Sequence, residues 1–346
     1  MGIFLVNAFL PEIHGCAPGS DGCSDAAIKL SQDTLATATS NDFLVYQMHQ
    51  YCEVDVLTFP GMQLHLNSEY YDLHPRHGLN VNGQYTFDYL PPKDNIFVMG
   101  PHADGPRSIK LPYMMMKWWT LVKGAKAEHY KSTFDSLFLP SARPKNSRKH
   151  FLLYANSRFV EYREKAAIAL SSIAPIHALG SCQGNIEAVP HELDTKLPQC
   201  IPFDDNNRPP SVIKLISPNL MTTRDKPIFS EYRYVIAMEN VKSPGYITEK
   251  ILDAFMSGAI PIYYGTTQIF DIFNQKAFIF YDIDNPQKAL DRIAYLESNP
   301  DAYSEMLNEP ILSHGDETIE KYFSFEDWIG NGAFKRKVRE KLGFPV

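Results

Sequence analysis

At 346 residues the chain exceeds the length at which a single hydrophobic core stops growing, and its 44% apolar content is enough for two. A formal net charge of -7 excludes an overall electrostatic footprint for nucleic acid. No run approaches the roughly 20 apolar residues that cross a bilayer, and the opening MGIFLVNAFLP has no basic region ahead of its apolar segment, so the expectation is a cytoplasmic chain without a membrane anchor.

The opening apolar run, residues 3–9, reads as a first β-strand, followed by a Gly, Ser and Asp-rich loop and a helical pattern over 26–51. A short strand at 54–57 and a loop-rich stretch over 60–92 come next, and then a buried strand at 96–99 closed by Gly100. Pro112 opens a helix, having no N–H to lose at the first helical position, and the apolar stretch 113–122 with Trp118 and Trp119 reads as core. Residues 140–148, with two prolines and three basic residues, form the expected interdomain linker.

The strand and helix rhythm then restarts, with strand 150–154, helix 161–171, strand 176–179 and a turn at 180–184. A polar, Pro-rich excursion over 187–210 precedes strands at 212–216 and 234–238, a helix over 247–257 and a strand at 260–264. Two successive α/β rhythms define two domains, 1–145 and 146–346. Cys16, Cys23, Cys52, Cys182 and Cys200 are too irregularly spaced for a disulfide scaffold or a paired zinc site; free thiols are expected, with a Cys16–Cys23 bridge as the alternative. The basic tail FKRKVREKLGFPV offers little apolar area to a lipid surface and reads as a solvated terminal helix.

Chemistry concentrates in YVIAMENVKSPGYITEKILDAFMSGAIPIYYG. Ile247, Ile251, Ala254 and Phe255 recur at i, i+4, i+7 and i+8 and share one helical face, which leaves Thr248, Glu249 and Lys250 off that face in the first turn. Pro244 and Gly245 supply a tight turn before the helix, and Gly258 suits a left-handed cap after it. The N–H groups of the first turn favour an anion such as a pyrophosphate. A transferase using a nucleotide sugar must offset the charge growing on the leaving diphosphate, a task for which Lys250 is suited, while Glu249 can accept hydrogen bonds from ribose hydroxyls.

This segment strongly resembles the signature of the α-1,3/4-fucosyltransferases, glycosyltransferase family ten, matching at Glu239, Asn240, Tyr246, Thr248, Glu249, Lys250 and Pro261. Upstream, FLLYANSRFVEYREKAAIALSSIAPIHALGSC is similar to the family's strand, turn, helix and strand, with Arg163 at the position of the family's first-turn Arg. The resemblance implies an α/β fold of GT-B architecture, two Rossmann-like domains facing across a cleft. It implies a donor site for GDP-fucose built from Arg163, Glu239, Asn240, Tyr246, Thr248, Glu249 and Lys250, with Arg163 and Lys250 as the charge clamp on the diphosphate. Oligosaccharides or glycoconjugates are the implied acceptors, and no metal or other cofactor is expected. Asp282-Ile283-Asp284, which mimics a metal-binding motif of another transferase fold, is expected on a surface loop.

The family's products imply inversion at the sugar carbon, which needs a general base on the acceptor hydroxyl. The family's Glu motif for that role has no counterpart in the N-terminal half; Asp72 is the nearest local substitute, followed by Glu69 and Asp104. That departure leaves two other readings open: a pseudoenzyme or lectin-like protein that binds GDP-fucose without turnover, and a GT-B transferase using another nucleotide sugar.

Overall fold

The computed structural model describes residues 3–5, 39–40, 43–47, 60–66, 94–100, 105–111, 146–156, 160–180 and 228–345. Among them are two five-stranded sheets, each parallel throughout. The first runs in sequence order through β1 (Ile3–Leu5), β2 (Phe43–Gln47), β3 (Met62–Leu66), β4 (Ile96–Gly100) and β5 (Ser108–Lys110). The second contains β6 (His150–Asn156), β7 (Ile176–Gly180), β8 (Tyr232–Met238), β9 (Ile260–Tyr264) and β10 (Ile279–Phe280) in the order β10-β9-β8-β6-β7. The α/β class expected from the sequence is therefore the observed one.

Helices α1 (Glu161–Ser171) and α2 (Lys250–Met256) connect strands of the second sheet. They are followed by α3 (Gln287–Ser298), α4 (Pro300–Asn308), α5 (Asp316–Tyr322) and α6 (Ala333–Lys341). No helix among the described residues is long and apolar enough to cross a membrane.

Strand alternation divides the second core cleanly. Tyr234, Ile236 and Met238 of β8 and Ile260, Ile262 and Tyr264 of β9 join the apolar cluster that holds Ala166, Ala167 and Leu170 of α1, Ile293 and Leu296 of α3, and Met306 of α4. Val235 of β8 packs with Ala254 of α2, while Ala237 and Tyr263 join Ile251 and Phe255 of α2. Both faces are covered, which is why these strands read as unbroken apolar runs. Leu64, Met99, Ile109 and Leu111 from the first sheet and its exit belong to the same apolar cluster as Phe273, Phe323 and Phe334, so residues of both halves share one contiguous core region.

Pro261 lies inside β9 without disrupting it. The Tyr263 carbonyl accepts from Tyr281 on the β10 side, and alternation points Pro261 the same way. There β10 has not yet begun, since its first residue, Ile279, pairs with Ile262; the missing N–H of Pro261 therefore removes no ladder bond.

Three expectations are corrected. Phe43–Gln47, inside the stretch 26–51 expected to be helical, is a strand, because its aromatic and β-branched run FLVYQ pairs on both sides. Met62–Leu66, inside the expected loop 60–92, is likewise a paired strand, and Ser108–Lys110 is a strand the apolar pattern was too short to mark. The helix expected over 247–257 begins only at Lys250, since Thr248 is drawn into a side-chain network described below. The readings for 54–57, 112–122, 180–184 beyond Gly180, 187–210 and 212–216 lie outside the described residues.

Candidate nucleotide site at the switch point

In the second sheet β6 has β7 on one side and β8 on the other, so the chain reverses its direction of winding between β6 and β8. A crevice opens at the carboxyl ends of parallel strands where this happens, and it is where ligands of open α/β sheets bind. The segments leaving β6 and β8 carry the residues singled out from the sequence: Arg163 in the first turn of α1, and Glu239 and Asn240 directly after β8.

Two neighbouring side chains of α1 reach the end of β8. The Arg163 guanidinium donates to Asn240 Oδ1 at 2.6 Å, and the Tyr162 hydroxyl donates a short hydrogen bond to the Glu239 carbonyl. Arg163 is only 5% exposed, so its charge is held at the crevice instead of ranging over the surface. Tyr162 also packs edge-on against Tyr264, with ring centroids 5.0 Å apart, and burial pushes its phenol up to about 12.

The connection from β8 to α2 is built around Glu239. Its carboxylate is completely buried and accepts from the Thr248 amide at 2.6 Å, from the Thr248 hydroxyl at 2.7 Å and from the Lys250 ammonium at 3.4 Å. Lys250 also donates to Thr248 Oγ1 at 2.7 Å, closing a ring of three side chains. Its side chain remains 27% exposed, so the ammonium is anchored from behind and reachable from the crevice. Burial raises the Glu239 pKa above its ordinary 4.5, opposed by Lys250 and by the Thr248 hydrogen bonds.

Between Glu239 and Thr248 the chain makes a turn with Pro244 and Gly245 at its centre and Tyr246 N–H bonded to the Ser243 carbonyl at 3.2 Å. Gly245 has φ 73°, the left-handed conformation that the third position of a type II turn needs. Its amide donates to Gln268 Oε1 at 2.5 Å, which ties the turn to the segment after β9. Gly258, φ 74°, ends α2 as the sequence suggested, with Ala259 N–H returning to the Ala254 carbonyl at 3.2 Å.

The seven residues expected at the donor site lie on the segments that leave β6 and β8, in unequal surroundings. Glu239 and Thr248, at 0% and 1% exposure, face inward and brace Lys250; Tyr246, at 2%, is packed into the turn. Asn240 orients Arg163. Glu249 has one carboxylate oxygen buried without a hydrogen-bond partner among the described residues. Tyr162, Gln268, Tyr263 and Gly265 were not anticipated; only the adjacency of Tyr162 to Arg163 in one helical turn was a usable signal. Asp72, Glu69 and Asp104 lie outside the described residues. Asp282 and Asp284 sit on an exposed turn in which Asp284 N–H bonds Asp282 Oδ1 at 3.1 Å, and no group of three or more metal-ligating side chains occurs among the described residues.

A parallel sheet whose switch point carries a buried arginine and a braced lysine is the α/β arrangement in which an anionic ligand is accommodated. Residues 144–308 match the profile of glycosyltransferase family 10 (fucosyltransferase), C-terminal domain. It is similar to the α-(1,3)-fucosyltransferase FucT of Helicobacter pylori, 42% identical over 85 residues that span 24% of this chain and 18% of the relative. It is also similar to α-(1,3)-fucosyltransferase B of Drosophila melanogaster, 28% identical over 204 residues that span 51% of this chain and 41% of the relative. The chain thus spans less than half the length of these curated relatives. Among solved structures, an α1,3-fucosyltransferase with GDP-fucose aligns over 94% of this chain and 89% of its own at 17% identity, with a TM-score of 0.47.

The Glu239 environment fixes a pH dependence. Because the folded-state pKa is raised, the folded protein holds this proton more tightly than the unfolded chain does, so the associated stability is present below about 4.5 and is lost as pH rises through the raised folded-state value. Denaturant unfolding across that pH range should show the stability of the native chain falling relative to that of Glu239→Gln. A pH-independent difference would contradict the assignment.

Proposed function

We propose that the chain is an inverting fucosyltransferase of GT-B architecture that moves L-fucose from GDP-β-L-fucose to a sugar hydroxyl, with the 3-OH of GlcNAc in an N-acetyllactosamine-type glycan as acceptor. The observation that carries this reading is the pairing of Arg163 and Lys250 around one switch point, inside the span of the family match. The relatives support the donor more than the acceptor. Their names share fucose but differ in what is modified, from α-(1,3) and α-(1,4) linkages to protein O-fucosylation, which supports reading the matching region as the donor-handling part.

In this reading residues 146–346 form the donor domain and 1–145 the acceptor domain. Arg163 and Lys250 neutralise the diphosphate as it leaves, and the unpartnered oxygen of Glu249 accepts from ribose hydroxyls. Fixed cations supply the charge that a metal provides in other transferases, so transfer proceeds without added metal. A carboxylate, Asp72 in the first instance and otherwise Glu69 or Asp104, takes the acceptor proton as the acceptor oxygen bonds to fucose C1. The C1–O bond to GDP breaks on the opposite face, and the β-linked donor becomes an α-linked product.

Lys250→Ala and Arg163→Ala should each weaken GDP binding about ten- to a hundredfold, the consequence of losing a charged hydrogen bond of roughly 1.5–3 kcal/mol. Calorimetry in excess chelator measures both that loss and the metal independence of the native chain. Native-like binding in both variants would displace the diphosphate from this crevice, and loss of native binding in chelator would overturn the metal-free reading.

For the base, Asp72→Asn should lower turnover by roughly 10² to 10⁴ with GDP affinity unchanged, with Glu69→Gln and Asp104→Asn as comparisons. Product analysis by mass spectrometry reads the outcome. Binding of GDP-fucose with no product from any acceptor would favour the non-catalytic reading, and product from another nucleotide sugar would favour the third.

A further inference from the structure

Glu239 presents a chemical puzzle that the donor reading leaves unexplained. A fully buried carboxylate is costly to keep in a protein interior, and this one has no exposed surface. Its carboxylate accepts from Thr248 and Lys250 on one side and has the Tyr263 phenol as its neighbour on the other, while its backbone carbonyl is held by Tyr162.

The wall behind it is close-fitting. A Cβ on Gly265 would stand 2.9 Å from Glu239 Cγ and would also collide with the Tyr263 hydroxyl, so the absence of a side chain at 265 is what admits the carboxylate. Tyr263 is fully buried, and burial together with the neighbouring Glu239 pushes its phenol well above the ordinary range; it stays neutral and adds no competing charge. The charged and titratable groups acting on the carboxylate are Lys250 and Glu249 from the start of α2, Tyr263 from β9 and Tyr162 from α1. Of these, Lys250 alone is a cation.

We infer that Glu239 is a positioning residue for donor binding: its buried carboxylate, with Thr248 as the relay, fixes the Lys250 ammonium toward the donor diphosphate, and Gly265 and Tyr263 form the wall that keeps the carboxylate in place. The inference rests on the placement of the diphosphate at Lys250 proposed above. A flexible lysine loses rotamer freedom each time it meets a ligand; a lysine already tied at 2.7 Å to Thr248 and at 3.4 Å to Glu239 has lost that freedom in advance. The carboxylate is retained at the expense of stability because the cation needs a fixed anchor.

The test is a double-mutant cycle on GDP-fucose affinity, measured by calorimetry without acceptor in native, Glu239→Gln, Lys250→Ala and doubly substituted chains. GDP-fucose has no terminal phosphate to titrate near neutrality, so the pH dependence of the native chain relative to Glu239→Gln reports on the protein. The expected result is an affinity about tenfold weaker in Glu239→Gln and no further loss when the change is added to Lys250→Ala. Native affinity should also weaken as pH falls through the raised pKa of Glu239, with that component missing in Glu239→Gln.

Thr248→Val, close to isosteric, severs the same relay and should weaken binding similarly, which keeps the test open if Glu239→Gln fails to fold. Native affinity in a folded Glu239→Gln or Thr248→Val overturns the inference. So does an equal loss from Glu239→Gln with and without Lys250, the signature of a general structural defect, although the donor site itself would stand. Indifference of Lys250→Ala alone would remove the site and this inference together.

Discussion

The carboxylate of Glu239 is the constraint from which the crevice is organised. It is fully buried, so it must be satisfied from within, and the groups that satisfy it are the backbone and hydroxyl of Thr248 and the ammonium of Lys250. Meeting that requirement shortens α2 to a start at Lys250, holds the preceding turn in one geometry and leaves a cation facing the crevice. The same residue's carbonyl takes the Tyr162 hydroxyl, which brings Arg163 to Asn240. Two cations are thereby anchored on the segments that leave β6 and β8, with Gln268 bracing the turn between β8 and α2.

The sheet explains why these residues meet. Parallel strands bring their carboxyl ends to one edge, and the reversal between β6 and β8 parts the connections that leave them. Burial of β8 and β9 on both faces, by α2 on one side and by α1, α3 and α4 on the other, makes the edge rigid enough for hydrogen bonds of fixed length. Rigid elements place a site more accurately than loops do.

Much of the second half was legible in the sequence because its signals are local. β8 and β9 are continuous apolar runs, Gly258 caps α2 with a positive φ, and Pro244 with Gly245 marks the turn. The braces were not legible, because they are tertiary: Tyr162 and Glu239 are 77 residues apart, and Gln268 reaches back 23 residues to Gly245. The inward role of Glu239 could not be read either, since a Glu in a signature motif points equally well to a ligand or to a neighbour. In the first half, β2 was mistaken for helix because FLVYQ is too short to show period 2 over period 3.6, and β3 was lost in a polar context.

Names among the relatives agree on fucose and differ on what receives it, which fits the proposal that the described site handles the donor. The central claim is that the donor diphosphate lies between Arg163 and the Glu239-anchored Lys250. A crystal structure of the complex with GDP-fucose tests it most directly. The account requires diphosphate oxygens within hydrogen-bonding distance of both Lys250 Nζ and the Arg163 guanidinium, with the Glu239–Thr248–Lys250 ring intact behind them. A diphosphate bound elsewhere, with both cations turned away from it, would contradict the account.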